Sequence, residues 1–394
     1  MRALTVCGPF RGPTGYDHHV REFVREFVRQ RISVQLVDLP LWSARKLPFS
    51  LRDPWFETMR EPVGANTVLH FCMPHQVQPH PHRRNINFTM FEAIPAPAPW
   101  VARNLDHDLL IVPTDSSRRA WIEGGMPEER IRLCPLGIDP ERFNGAAEPL
   151  PLVLPDGTPV CTYRVRFLNV SEMNARKNIP GLLRTWMRAT NAGDDAILIL
   201  KLGYGDQAQL RTFRSQIEAL RLESGKTLAE AARVHFVYDV YADSEMPRLY
   251  RAATHYCSMS FGEGWDQPAM EAAASGLRLI VPDHSAYSSY LDSSVASLIG
   301  SRETPARWIG DPATAALFEH ALWWEPDEEE AAAHIRSAID GRDTGKPIAQ
   351  SRIQQLFSWE RATRRLTSIL DELDPPRRRY WPFSSSRTAP ARLG

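Results

Sequence analysis

Two carboxylates open and close the segment Glu263-Gly-Trp-Asp-Gln-Pro-Ala-Met-Glu271, which carries the most informative chemistry of the chain. An apolar run over 254–259 reads as a strand, and Gly262 and Gly264 flank Glu263 in the loop after it. A helix is then expected, with Pro268 at its first position and Gly276 just past its end. Glu263 is thus placed on the loop and Glu271 in the first helical turn. The backbone N–H groups of Gly264, Trp265, Asp266 and Gln267 are left facing the same crevice, and a helix N-terminus is a ready anion site. Two acceptor carboxylates beside an anion cradle suit a sugar joined to a phosphate. Acidic residues near a helix start also answer the macrodipole alone. The flanking glycines and a second apolar strand over 277–282 favour the ligand reading.

The run Asn169-Val-Ser-Glu-Met-Asn-Ala-Arg-Lys-Asn-Ile-Pro180 ends a strand in a loop that places Arg176 and Lys177 just before a helix. Such a pair can neutralise a diphosphate, Arg by forked bonds and Lys as a compact charge, or it can be a solvated surface pair. Gly8-Pro-Phe-Arg-Gly-Pro-Thr-Gly-Tyr16, between the first strand and first helix, allows close approach of a ligand or forms a plain turn. It lacks the dinucleotide and P-loop spacings. His70, His75, His80 and His82 share no strand or helix face, so no metal site is expected there. Asp106-His-Asp108 reads as the end of a helix. Arg21, Arg25 and Arg29 form a basic stripe on the first long helix, and Arg377-Arg-Arg-Tyr-Trp-Pro-Phe383 adds a basic, aromatic tail; together they suggest peripheral contact with anionic lipid, against a merely soluble tail.

These residues need a frame that presents loop after loop on one edge. Strand and helix alternate over the first half: strands at 3–7, 33–37, 67–71, 85–90 and 109–112, helices at 17–31 and 116–123. A Pro- and Gly-rich stretch over 143–159 interrupts them. Alternation resumes with strands at 167–170, 196–200 and 234–237 and helices at 179–189, 207–223 and 245–252. The fold class is therefore α/β: two Rossmann-like, doubly wound parallel-sheet domains facing across a cleft. Ligands bind outside the carboxyl ends of such strands, so the cleft is the expected active site. The expected boundaries are 1–158, 159–350, a C-terminal helix at 351–373 packing back on the first domain, and a disordered basic tail at 374–394.

A zero formal net charge gives no bulk attraction to nucleic acid. Five dispersed cysteines suit buried thiols in a reducing compartment. The start reads as a strand rather than a signal peptide, and no run reaches a membrane span. A cytoplasmic protein is expected, at most peripheral to the inner face of a membrane.

The chain resembles the retaining glycosyltransferases of family 4, also called group 1, which have the GT-B architecture, over about residues 1–370. The resemblance rests on Glu263 to Glu271, Ala175-Arg-Lys-Asn178, Pro135-Leu-Gly-Ile-Asp-Pro-Glu-Arg-Phe143 and Phe357-Ser-Trp-Glu360, in that family's order. It implies an acceptor-binding first domain and a nucleotide-sugar-binding second domain. It further implies that Glu271 binds ribose hydroxyls, Glu263 the donor sugar, the Gly264–Gln267 amides sugar and phosphate, and Arg176 and Lys177 the leaving diphosphate, without metal or other cofactor. Gly15 would lie beneath the acceptor or the donor phosphate. The chain departs from the family twice. Trp265, Asp266 and Gln267 replace the commoner Phe-Gly-Leu, adding a carboxylate to the pocket. Phe91 stands where the family has its catalytic histidine, with Glu92 beside it. Glu92 is expected to touch the transferred sugar or the acceptor, or else to cap a helix.

The resemblance implies sugar transfer from a nucleoside diphosphate to a saccharide, lipid-linked or other hydroxyl, in polysaccharide or glycolipid assembly. Configuration would be retained by front-face attack; a double displacement through a carboxylate stays open. Closure about residues 145–160 is expected to accompany it. Competing readings are a nucleotide-sugar epimerase or hydrolase of the same fold, and a non-catalytic sugar-nucleotide binding protein.

Overall fold

Alternating short strands and helices close into two parallel sheets in this computed structural model, which describes residues 2–39, 42, 46–203, 207–343 and 348–373. The expected tail at 374–394 lies outside the described residues. The first sheet holds β1 (Ala3–Cys7), β2 (Ser33–Val37), β3 (Thr67–Phe71), β4 (Arg84–Phe88), β5 (Leu109–Val112) and β6 (Ile131–Leu133) in the order β2-β1-β3-β4-β5-β6. Helices α1 (Gly15–Arg29), α2 (Ala98–Asn104) and α3 (Asp115–Glu123) cross over between its strands. α1 buries Val20, Phe23, Val24 and Phe27 completely, one stripe at helical spacing. Thr14 and Asp17 form a capping box at its start.

The second lobe contains β7 (Val165–Ser171), α4 (Ile179–Ala189), β8 (Ala196–Leu202), α5 (Gln207–Ser224), β9 (Arg233–Val237), α6 (Met246–Arg251), β10 (His255–Cys257), α7 (Gln267–Ala274), β11 (Arg278–Pro282) and β12 (Ser297–Ile299). Its order is β12-β11-β10-β7-β8-β9. β7 and β8 lie inside this sheet, and every residue of β8 is buried, which is why its sequence is almost continuously apolar. An antiparallel pair, β13 (Ser301–Pro305) and β14 (Leu322–Pro326), flanks the short α8 (Pro312–Leu317). Helices α9 (Glu328–Ile339), α10 (Gln350–Leu356) and α11 (Trp359–Leu373) follow. α11 returns to the first lobe: the Trp359 ring meets Phe23 edge-on at 5.3 Å, and Arg2 pairs with Asp371 at 2.8 Å.

The β13–β14 pair, which the strand periodicity did not anticipate, ties the lobes together at the cleft. Ile94 exchanges backbone bonds with Leu322 at 3.1 and 2.7 Å, and the Trp324 amide donates to Phe261 O at 2.9 Å. Trp323 and Phe318 fill the apolar space behind, beside Phe91 and Trp100.

Candidate functional site in the interlobe cleft

β7 and β10 are neighbours in the second sheet, so the loops leaving their carboxyl ends meet. Asn178 joins them: held in the left-handed region at φ 47°, it accepts from the Gly181 amide at 3.1 Å and donates to Met259 O at 3.0 Å. The Phe261 amide donates to Arg176 O at 2.8 Å. Arg176 and Lys177 thereby converge on Glu263, Arg176 Nη1 and Lys177 Nζ each 2.7 Å from one of its carboxylate oxygens. Arg176 Nη1 also donates to Gly262 O at 2.6 Å, and its Nη2 lies 3.6 Å from Glu92 across the cleft.

Burial opposes charge on Glu263, yet the two cations outweigh it and hold this carboxyl down at about 2. Asp266 behaves oppositely. Burial pushes it up to about 6, with Lys177 at 3.7 Å only partly compensating and the Glu263 charge adding to the rise. Tyr287 donates to Asp266 Oδ2 at 2.6 Å, while Oδ1 is buried without a hydrogen bond. Burial likewise raises Glu92, against the attraction of Arg176. Three carboxylates thus share two cations, an arrangement that an arriving diphosphate would have to loosen.

Asp266 caps α7 in the left-handed region at φ 56°, so the helix begins at Gln267. Glu271 is the fifth helical residue, one position deeper than expected, because the helix starts at Gln267 rather than at Pro268. Tyr250 donates to Glu271 Oε2 at 2.7 Å, and His18 of α1 stands 3.7 Å from Oε1. The amides of Gly264, Trp265, Asp266 and Gln267 find no acceptor among the described residues. The Trp265 and Gln267 side chains leave the crevice: Trp265 is buried beside Tyr290 at 5.3 Å, and Gln267 donates to Gly137 O at 2.9 Å. Only Asp266 of the three turns its side chain toward the cations.

The first lobe approaches so closely that two glycines are obligatory. A Cβ on Gly262 would stand 2.1 Å from Glu92 O, and one on Gly264 2.4 Å from Met90 Sδ. Glu92 is held between fixed points, the Thr89 amide bonded to Ile111 O at 3.0 Å and Ile94 bonded to β14. It does not cap a helix: β4 ends at Phe88 and α2 starts only at Ala98. Phe91 turns away, stacked on Phe318 at 5.1 Å. Gly15 is exposed, and a Cβ there would meet open space. Two amides of the loop before it are occupied, since Asp17 accepts from Gly12 N at 2.6 Å and Thr14 N at 3.3 Å. That carboxylate and Thr14 form the capping box that starts α1.

No family model matches the chain, and no curated protein matches it. Solved structures do. The chain is similar to HepE of Anabaena in complex with UDP-glucose, at 14% identity over 94% of this chain and 100% of that one, TM-score 0.63. It is also similar to sucrose-phosphate synthase of Thermosynechococcus elongatus, at 14% identity over 95% and 99%, TM-score 0.65. A glycosyltransferase of Rickettsia africae aligns at 12% identity over 95% and 99%, TM-score 0.62.

The chain has the GT-B fold. Its two lobes carry further polar groups at their junction that residue spacing did not single out. Arg21 donates twice to Asp243 at 3.0 Å, Arg142 reaches Glu22 at 3.1 Å and Asp243 O at 2.8 Å, and His18 lies 3.8 Å from Asp243. His18, Glu22 and Asp243 have metal-ligand spacing, but guanidinium groups already neutralise both carboxylates. Of the expected basic stripe on this GT-B chain, Arg21 is almost fully buried and Arg25 pairs with Glu22 and Asp53, while Arg29 stays exposed beside Glu26. These residues instead line a cavity of about 480 Å³ that also touches Phe10, Leu47 and Arg52. On the opposite side, His284 buttresses the Glu263 loop. Its Nε2 contacts Ser260 O at 2.9 Å and its Nδ1 contacts Ser285 Oγ at 2.8 Å, while Ser285 Oγ accepts from the Glu263 amide at 3.1 Å. Burial lowers His284 to about 4, so it is neutral, with Nε2 carrying the proton given to the carbonyl. Four of the five cysteines are buried and all are unpaired. No helix among the described residues is long and apolar enough to cross a membrane.

Proposed function

We propose that the chain is a retaining glycosyltransferase of the family 4 type that moves a sugar from a nucleoside diphosphate to an acceptor hydroxyl without a metal. The observation that carries this reading is the meeting of Arg176, Lys177 and Glu263 at 2.7 Å between two lobes. Solved neighbours that hold UDP and UDP-glucose on the same fold support a uridine-diphosphate donor. On donor binding the diphosphate takes over the two cations, and Glu263 passes to the sugar hydroxyls. The bond from the anomeric carbon to the phosphate oxygen breaks, its electron pair stays on that oxygen, and the cations stabilise the charge developing there. The acceptor oxygen bonds to the same face of the carbon and passes its proton to the departing oxygen. Glu92, opposite Arg176, orients the sugar or the acceptor, which enters from the first lobe. Polysaccharide or glycolipid assembly, near a membrane surface, is the setting this reading favours.

Incubation with UDP-glucose and a panel of saccharide and lipid-linked acceptors tests it, with UDP release and product anomer read by NMR. An α-linked product from the α-configured donor is expected, and Lys177→Ala should reduce kcat/KM by about 30-fold or more, as for a lost partner of buried phosphate charge. Turnover equal to wild type in that variant would remove Lys177 from the site. Phe91, packed into an apolar cluster where the family has its histidine, favours a second reading as a binding protein. That reading is chosen if the donor binds and no acceptor is ever modified.

A further inference from the structure

Lys201 is a buried cation for which the chemistry above has no use. It lies at the next-to-last position of β8, paired in register with Val170 of β7, the strand that leads to Arg176 and Lys177. Only 9% of the residue is exposed. Among the described residues its Nζ finds one weak acceptor, Leu202 O at 3.5 Å, and no carboxylate within ion-pair distance. Burial lowers its pKa, with Asp239 opposing from further away. A lysine left so poorly satisfied costs stability unless something else accepts from it.

Strand alternation settles which way it faces. Leu198, Leu200 and Leu202 enter the core beneath α4, whereas Ile197 and Ile199 enter the other core with Leu249, Tyr250 and Met270 of α6 and α7. Lys201 follows Ile197 and Ile199, so it emerges at the carboxyl end of β8 on the face that carries Tyr250, the partner of Glu271. The loop between β9 and α6 closes over it: the Tyr241 ring, packed against the same core as Ile197 and Ile199, lies 5.8 Å from Nζ. An aromatic ring beside one buried donor is what a flat heteroaromatic ring with a polar edge requires.

We propose that Lys201 reads the base of the nucleotide, donating to an exocyclic carbonyl oxygen while Tyr241 covers the ring face, so that the site takes uracil or guanine and rejects adenine. An ammonium only donates. A carbonyl oxygen meets it, whereas the amino group of adenine presents a second donor at the same place. This rests on the proposed function, since it names the base of the same nucleotide.

Titration calorimetry with UDP, GDP and ADP on the wild type, Lys201→Met and Lys201→Gln decides it. The wild type should bind UDP or GDP at least about tenfold more tightly than ADP, the two arms distinguishing uracil from guanine. Lys201→Met should erase that preference while leaving ADP affinity unchanged, and Lys201→Gln, which keeps a donor, should retain part of it. Equal weakening of all three nucleotides would make Lys201 a phosphate ligand and overturn the inference, as would unchanged affinities or a wild-type preference for ADP. Failure of the wild type to bind any of the three would overturn the proposed function and this inference with it.

Discussion

Asp266 is held among charges that pull it both ways, and its titration reports the balance. The group rises from 3.8 to about 6 because burial outweighs the attraction of Lys177. The folded state therefore keeps a proton that the unfolded chain gives up, and stability falls as pH rises from near 3.8 to about 6, staying low above that. Glu263 has the opposite sign. Its carboxyl falls from 4.5 to about 2, so its stabilisation is full above 4.5 and is lost as pH drops through the folded value. Asp266→Asn, which still accepts from Tyr287, is expected to gain about 1–3 kcal/mol over wild type at neutral and higher pH, with the gain vanishing in acid. Urea titrations at the two extremes measure it. A gain of the same size in acid would show that packing, not charge, is responsible.

Among the elements, the two loops that touch across the cleft explain why glycine recurs around Glu263. Gly262→Ala sets a Cβ against the backbone oxygen of Glu92, which is pinned through Thr89 and Ile94, whereas Gly264→Ala meets the flexible end of Met90 first. Gly262→Ala should cost about 2–4 kcal/mol in thermal or urea stability or hold the cleft open, and Gly264→Ala less, the usual ordering for rigid against yielding overpacking. Equal effects would mean that the β4 loop moves freely. Arg176, Lys177 and Glu263 were legible because residue type and a strand-to-helix junction suffice to place them. Glu271 was displaced by one helical position because the left-handed Asp266 starts the helix at Gln267, one residue before Pro268, a backbone choice that residue spacing does not encode. The β13–β14 pair was hidden because Ser301–Pro305 is mostly exposed and shows no apolar alternation; its pairing is set by Leu322 and by contact with Ile94. Glu92 was legible as a polar residue at a cleft-facing end, but its pairing with Arg176 depends on how the lobes meet.

At the scale of the whole molecule, closure is held by charges from both lobes. Arg21 and Asp243, 222 residues apart, could not be paired from the sequence, and the same holds for His18 with Asp243 and Glu271. Burial pulls the His18 pKa down, but Asp243, Glu22 and Glu271 together hold it above the ordinary 6.5. The closed form therefore binds a proton more tightly than an open form in which His18 meets water. Closure is favoured below 6.5 and weakened as pH rises through the closed-state value. Asp243 and Glu22 each have a guanidinium partner, in Arg21 and Arg142, so the change belongs to His18. X-ray scattering at about pH 6.5 and pH 9 should show a larger radius of gyration at the higher value, and His18→Gln should abolish the difference. A persisting difference in that variant would assign the switch elsewhere. Because His18 stands where the proposed ribose hydroxyls would meet Glu271, saturating nucleotide should displace it from that carboxylate and flatten the pH dependence in the wild type, leaving the cleft closed around its ligand at both values.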